Sequence, residues 1–127
     1  MAGLKDIVWV GSSKKDLLDL PDEVMDEFGH GLYEAQQGKH PSSAKPYKIE
    51  GGAGVLELVE RFDTDTYRAV YTVEFEEAIY VLHCFQKQSK QGKKTPKQDD
   101  ERIRRRFIAA KEMHEIWLKE QSTKKKS

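Results

Sequence analysis

The chain has one cysteine, Cys84, in 127 residues. A single thiol builds no intrachain disulfide framework, and so sparing a use of cysteine points to a reducing compartment. There is no N-terminal apolar segment of the secretory type and no apolar run long enough to span a bilayer. Gly3 stands one position too late for a myristoylation signal. The expectation is a cytoplasmic protein with no membrane partner. His30, His40, His83 and His114 are scattered, and neither HExxH nor CxxC occurs, so no metal site and no cofactor are expected. "GGAG" (51–54) lacks the lysine-serine/threonine of a phosphate loop, and "GSSKK" (11–15) lacks the elbow context of a nucleophilic serine.

What is present in quantity is charge, at 35% of residues, against a hydrophobic fraction of 37%. A chain of this length forms one domain and buries roughly two-thirds of the surface its unfolded form exposes. The formal net charge of zero conceals a split. Residues 1–80 carry 8 Lys/Arg and 16 Asp/Glu, whereas residues 81–127 carry 14 and 6. Either the halves neutralise each other in the fold, or the basic part meets a polyanion.

The pattern of apolar residues predicts an α+β domain. "KDIVWV" (5–10) reads as a first strand, followed by a short helix capped at Ser13. After Pro21, Val24, Phe28 and Leu32 recur at spacing four and predict an amphipathic helix ending at Gly38, weakened by ~1 kcal/mol at each of Gly29 and Gly31. Residues 38–54 read as loop, with at most a short extended piece at 47–49. Three strands follow at 55–62, 67–73 and 78–85, and their short links predict an antiparallel meander. Thr95-Pro96 with Gln98 forms a capping box for a helix to about Glu120, with Ile103, Phe107, Ala110 and Trp117 on one face. The domain is expected over 1–120, with a basic, frayed tail over 121–127.

If "DTDT" and "EFEE" are four-residue hairpin loops, Arg61 faces Arg68 and Arg68 faces His83. Alternation then gathers Leu56, Leu58, Phe62, Tyr67, Ala69, Tyr71, Val73, Tyr80, Leu82 and Cys84 on a core face. The other face collects Glu57, Arg61, Arg68, His83, Phe85 and Lys87. The cationic members of that set run on into "QKQSKQGKKTPK", which supplies Lys90, Lys93, Lys94 and Lys97, and into Arg102, Arg105 and Arg106 of the last helix. Each feature has a plain structural reading: strand arginines bridged to Glu57 and Glu60, a satisfied sheet histidine, a solvated lysine loop. Their coincidence favours a surface that holds an anion.

The stretch "VLELVERF…YRAVYTV…AIYVLHCFQKQSKQGKKTPKQDDERIRRR" resembles the HigB-like, phage-derived toxins of the RelE/ParE toxin–antitoxin superfamily. Residues 55–110 carry the likeness, through Arg61, Tyr67-Arg68 with Tyr71, the run from His83 to Lys87 with Lys90, and Thr95-Pro96. The resemblance implies a RelE-like fold, a small antiparallel sheet packed by two N-terminal helices and one C-terminal helix. It also implies a cognate helix-turn-helix antitoxin as partner, and metal-independent cleavage of mRNA on the ribosome. Arg61 and Arg68 would then stabilise phosphate charge, and His83 or Lys87 would serve as general base or acid. Lys90, Lys93, Lys94, Lys97, Arg102, Arg105 and Arg106 would grip the RNA backbone. Two rival readings are a ParE-like DNA gyrase poison and a non-enzymatic nucleic-acid-binding protein.

Overall fold

The computed structural model describes residues 3–50, 52–87 and 95–126. Lys90, Lys93 and Lys94 lie outside the described residues. Eight elements follow in order: β1 (Asp6–Trp9), α1 (Ser13–Leu18), α2 (Asp22–Gln36), β2 (Ala44–Pro46), β3 (Val55–Phe62), β4 (Asp65–Thr72), β5 (Ala78–Lys87) and α3 (Lys97–Lys126). They form one five-stranded sheet in the order β1-β5-β4-β3-β2. The meander β3-β4-β5 is antiparallel, but β1 joins β5 in parallel, so the sheet is mixed rather than purely antiparallel. The edge strand β2, paired with β3 through Ala44, Lys45 and Pro46, falls where a loop was expected. Three residues ending in proline carry almost no strand signal, and proline is tolerated there because an edge leaves its missing N–H unneeded.

Helices cover both faces of this sheet. On one side Leu17 of α1 and Val24, Phe28, Leu32 and Ala35 of α2 meet Leu58, Tyr67, Ala69, Tyr71, Ile79, Val81 and Cys84. Gly31, expected only to weaken α2, permits the close approach of helix to sheet. A Cβ there would lie 2.8 Å from Leu58 Cδ1. On the other side Ile103, Phe107 and Ala110 of α3 cover Val55, Val70, Tyr80, Leu82 and Phe85. Strands β4 and β5 are thus central and doubly buried, which explains the nearly unbroken apolar run "AIYVL".

Two details correct the expected register. The β3–β4 turn has two residues, Asp63 and Thr64, both left-handed at φ 52° and 71°. Phe62 therefore pairs with Asp65 and Arg61 with Thr66, so Arg61 and Arg68 do not face each other. The shift is an even two residues, and every side chain keeps its expected face in β3 and β4. The second detail is a bulge in β5. Val70 pairs with His83 but Tyr71 with Val81, leaving Leu82 as the extra residue. Upstream of it the faces exchange: Ile79 and Val81 join the α2 side, while Tyr80 and Leu82, expected there beside Cys84, turn to α3.

At the helix ends, Ser12 rather than Ser13 precedes α1, and the buried Ser13 hydroxyl donates to Val81 O at 3.0 Å. α3 starts at Lys97, with Pro96 O accepting the amide of Asp100. It continues to Lys126, past the expected end at Glu120 and through the segment read as a frayed tail. No helix among the described residues is long and apolar enough to cross a membrane.

Candidate functional site

The α3-facing side of the meander is a small grid set by the register. Its outer row is Arg61, Thr66 and Lys87, the next Val59, Arg68 and Phe85, and the third Glu57, Val70 and His83. The two-residue period of a strand aims all nine side chains to this side. Arg61, Arg68, His83 and Lys87 therefore share one face, as the alternation predicts, although no two of them are direct cross-strand partners. Arg61 stands furthest apart. It is exposed at the hairpin end and borders a groove walled by Glu23, Asp26, Glu27 and Glu60.

Arg68 is buried and its Nη1 donates to Glu57 Oε1 at 2.5 Å. The bridge to Glu57 exists, but on a covered face rather than the solvated one that the structural reading supposed. The second carboxylate oxygen, Oε2, and Arg68 Nε have no hydrogen-bond partner. Both atoms are buried, so the carboxylate oxygen and the guanidinium donor are unoccupied but closed to solvent in this structure. Lys87 adjoins this pair. Partial burial, with the Arg68 charge second, holds its ammonium below the usual lysine range, and Glu57 opposes the shift.

His83 is only 2% exposed. Its Nε2 lies 2.7 Å from Asp99 Oδ1 at the start of α3, and its ring stacks on Phe85 at 4.6 Å between centroids. Burial, helped by the charges of Arg106 and Arg102, lowers its pKa, against the pull of Asp99. The neutral tautomer fits: Nε2–H donates to Asp99, while a bare Nδ1 sits without a partner. This ring is a sealed strut between β5 and α3 rather than a group open to substrate.

Helix α3 adds the remaining charges. Lys97, Arg102 and Arg105 are exposed and have no carboxylate partner among the described residues, whereas Arg106 is half-buried and donates to Leu82 O at 2.9 Å and Ser12 Oγ at 3.0 Å. Asp100 accepts from the Tyr47 hydroxyl and from Arg104 Nε, and these bonds hold its carboxyl below the usual range although burial opposes them. Among the described residues no group of three or more His, Cys, Asp or Glu side chains could hold a metal ion. Burial pushes the Cys84 thiol up to about 12, so it is no nucleophile at neutral pH.

Sequence reasoning missed Glu57 and Asp99 as members of the site. Glu57 was visible, since it shares parity with Arg61, but it was read as a charge partner only. Asp99 depends on how α3 docks, which no local pattern encodes.

The comparisons fit this arrangement to a family. No curated protein matches the chain significantly. Among solved structures, a chain of the toxin–antitoxin complex RelBE2 from Mycobacterium tuberculosis is similar at 22% identity and a TM-score of 0.41, over 65% of this chain and 96% of that one. That likeness is too slight to argue from. The profile of a family described as phage-derived protein Gp49-like (DUF891) matches residues 15–108, from α1 through the first turns of α3 and across the whole grid. The chain belongs to the Gp49-like family of phage-derived proteins.

Proposed function

We propose that the protein is the toxin of a type II toxin–antitoxin pair and cleaves mRNA on the ribosome without a metal. The observation that carries this reading is the Glu57–Arg68–Lys87 group, a carboxylate and two cations in successive rows of one sheet face. The sequence resemblance to HigB-like toxins and the phage-derived family support it. The partner in this reading is a cognate helix-turn-helix antitoxin.

The chemistry needs three things. A base takes the proton of the ribose 2′-OH, whose oxygen then attacks the adjacent phosphorus. Positive charge stabilises the five-coordinate phosphorus as negative charge builds on its oxygens. An acid protonates the departing 5′-oxygen, leaving a 2′,3′-cyclic phosphate and a 5′-hydroxyl. Glu57 Oε2 serves as the base and Arg68 holds the phosphoryl oxygens once RNA binding uncovers this pair, which is buried in the free protein. Lys87 donates the proton, a task its lowered pKa suits. His83 was the favoured acid or base on sequence; its burial and its bond to Asp99 make it a positioning residue instead. Arg61, with Lys97, Arg102 and Arg105, is left to attract backbone phosphates.

A second reading, a non-enzymatic RNA-binding protein, is favoured by the same burial of Arg68 and His83. Induction of the wild type and of Lys87→Ala in a bacterial host separates the two. Growth arrest with cut transcripts, abolished by Lys87→Ala, is expected. Arrest with intact transcripts overturns the nuclease and leaves the gyrase poison, and no arrest leaves the binding protein.

A further inference from the structure

An open groove lies between the β1–α1 turn and α3. Its walls are Val10, Gly11, Arg102, Arg105, Arg106 and Ala109. Three arginines line it and no carboxylate does. We propose that this groove is a second phosphate subsite, which grips the backbone of single-stranded RNA away from the position where the chain is cut. The inference rests on the RNA-directed reading above and adds where the rest of the strand runs.

Arg106 is preset for this task. Its guanidinium lies flat on the turn, so that a Cβ at Gly11 would come within 2.8 Å of Nε and 2.9 Å of Cζ. Gly11 is left-handed at φ 58°, and glycine meets both demands at once. Two of the five N–H donors of Arg106 are engaged by Leu82 O and Ser12 Oγ, and three remain. Ser12 is in turn held, because its hydroxyl donates to Asp16 Oδ2 at 2.7 Å. Arg106 therefore costs little side-chain freedom when it meets an oxyanion.

Arg102 and Arg105 complete the groove from one turn earlier and from the neighbouring position. Both are exposed, and neither has a hydrogen-bond or ion-pair partner among the described residues. The three cations repel one another: Arg102 pushes the Arg106 pKa down, second to burial, and Arg105 adds a smaller push, with the Asp16 carboxylate opposing both. A fold gains nothing from crowding like charges in a concave site, whereas a bound phosphodiester relieves the repulsion.

The test uses a fluorescein-labelled, fully 2′-O-methylated single-stranded RNA, which the protein can bind but cannot cut, titrated over a range of salt concentrations. Replacing Arg102 and Arg105 by glutamine is expected to reduce the slope of log K against log salt by about 1.4, the contribution of two single-strand phosphates. A charge-matched control, Lys39→Gln/Lys119→Gln, removes two cations outside the groove and is expected to leave the slope near that of wild type. A second arm measures binding to purified ribosomal subunits. Loss of slope with the oligonucleotide assigns the groove to mRNA, and loss confined to the subunits assigns it to ribosomal RNA. Either supports the subsite. A slope unchanged in both arms, or lowered equally by the control, overturns it. Wild-type protein that binds with an arginine-dependent slope but never cuts RNA retains the subsite and removes the nuclease.

Discussion

Glu57 and Arg68 are each only 11% exposed at the side chain. Removing one of them strands the other's charge where water barely reaches, at a cost of about 3–5 kcal/mol. Arg68→Ala is therefore expected to lower the melting temperature markedly as well as abolish cleavage. Glu57→Leu/Arg68→Met, which removes both charges, should recover most of the lost thermal stability and none of the activity. If that double variant still cut RNA, the pair would be purely structural. Lys87 gives a pH signature. Its ammonium, depressed by burial and by Arg68, loses its proton earlier than an ordinary lysine, so cleavage should fall as pH rises through that point. In Lys87→Arg the donor stays charged and the alkaline fall should move to higher pH; a limb that does not move eliminates Lys87 as the acid. For His83 the sign is reversed and concerns stability. Its folded pKa lies below the 6.5 of the unfolded chain, so the unfolded state binds more protons in that window. Stability supplied by the neutral ring is present above about pH 6.5 and drains away as pH falls below it. Melting curves from pH 7 to pH 5 should therefore decline less steeply in His83→Gln than in wild type.

At the scale of elements, the β3–β4 hairpin is the point of strain. Thr64 is β-branched and sits at φ 71°, a region that such residues rarely occupy. Thr64→Gly removes a penalty of roughly 1–2 kcal/mol, and a thermal melt raised by a few degrees would report it. A melt unchanged or lowered would mean that the Thr64 side chain supports the turn. The same hairpin explains what could be read in the chain and what could not. The strands themselves were legible, because β-branched and aromatic runs bounded by short polar links have few other outcomes. Loop length was not, since "DTDT" lacks the Asn-Gly or Asp-Gly pair that marks a two-residue turn. The error was harmless in β3 and β4 because it was even.

The bulge at Leu82 was a different kind of miss. In "AIYVLH" every residue before His83 is apolar, so either parity satisfies a doubly buried strand and the extra residue leaves no trace. The second covered face was missed for a related reason. The first half of α3 offers only Ile103, Phe107 and Ala110 as an apolar stripe, amid arginines that suggest a solvated helix. Hence the strip of cations could be placed on one face from sequence, while the burial of Arg68 and His83 within it could not.

Over the whole molecule, the split of charge along the chain becomes a split in space. The acidic residues of α2 stand on one side of the sheet, and the arginines of α3 on the other. The protein can therefore turn one side to a polyanion while the other stays clear of it. α3 is seated by a short part of its length. Ile103, Phe107 and Ala110 are buried, and His114 closes the contact by donating from Nε2 to Glu77 at 2.8 Å and accepting from Tyr80 at Nδ1, between the rings of Phe75 and Trp117. Beyond it Ile116 and Leu118 are exposed. Truncation after Glu120 should leave the melting temperature within about a degree of wild type, whereas Phe107→Ala should cost about 3–5 kcal/mol. A large loss on truncation would show that the end of α3 is supported by something other than this contact. This uneven seating gives the two parts of the proposed RNA surface different expected lifetimes. Glu57, Arg68 and Lys87 hang from strands in the middle of the sheet, whose amides exchange with solvent only when the whole domain opens. The arginine groove depends on a helix held along one side, for which local opening at lower free energy is the expectation. Under the proposed function, the cutting group would endure as long as the fold does, and the grip beside it would be made and unmade at the pace of a single helix.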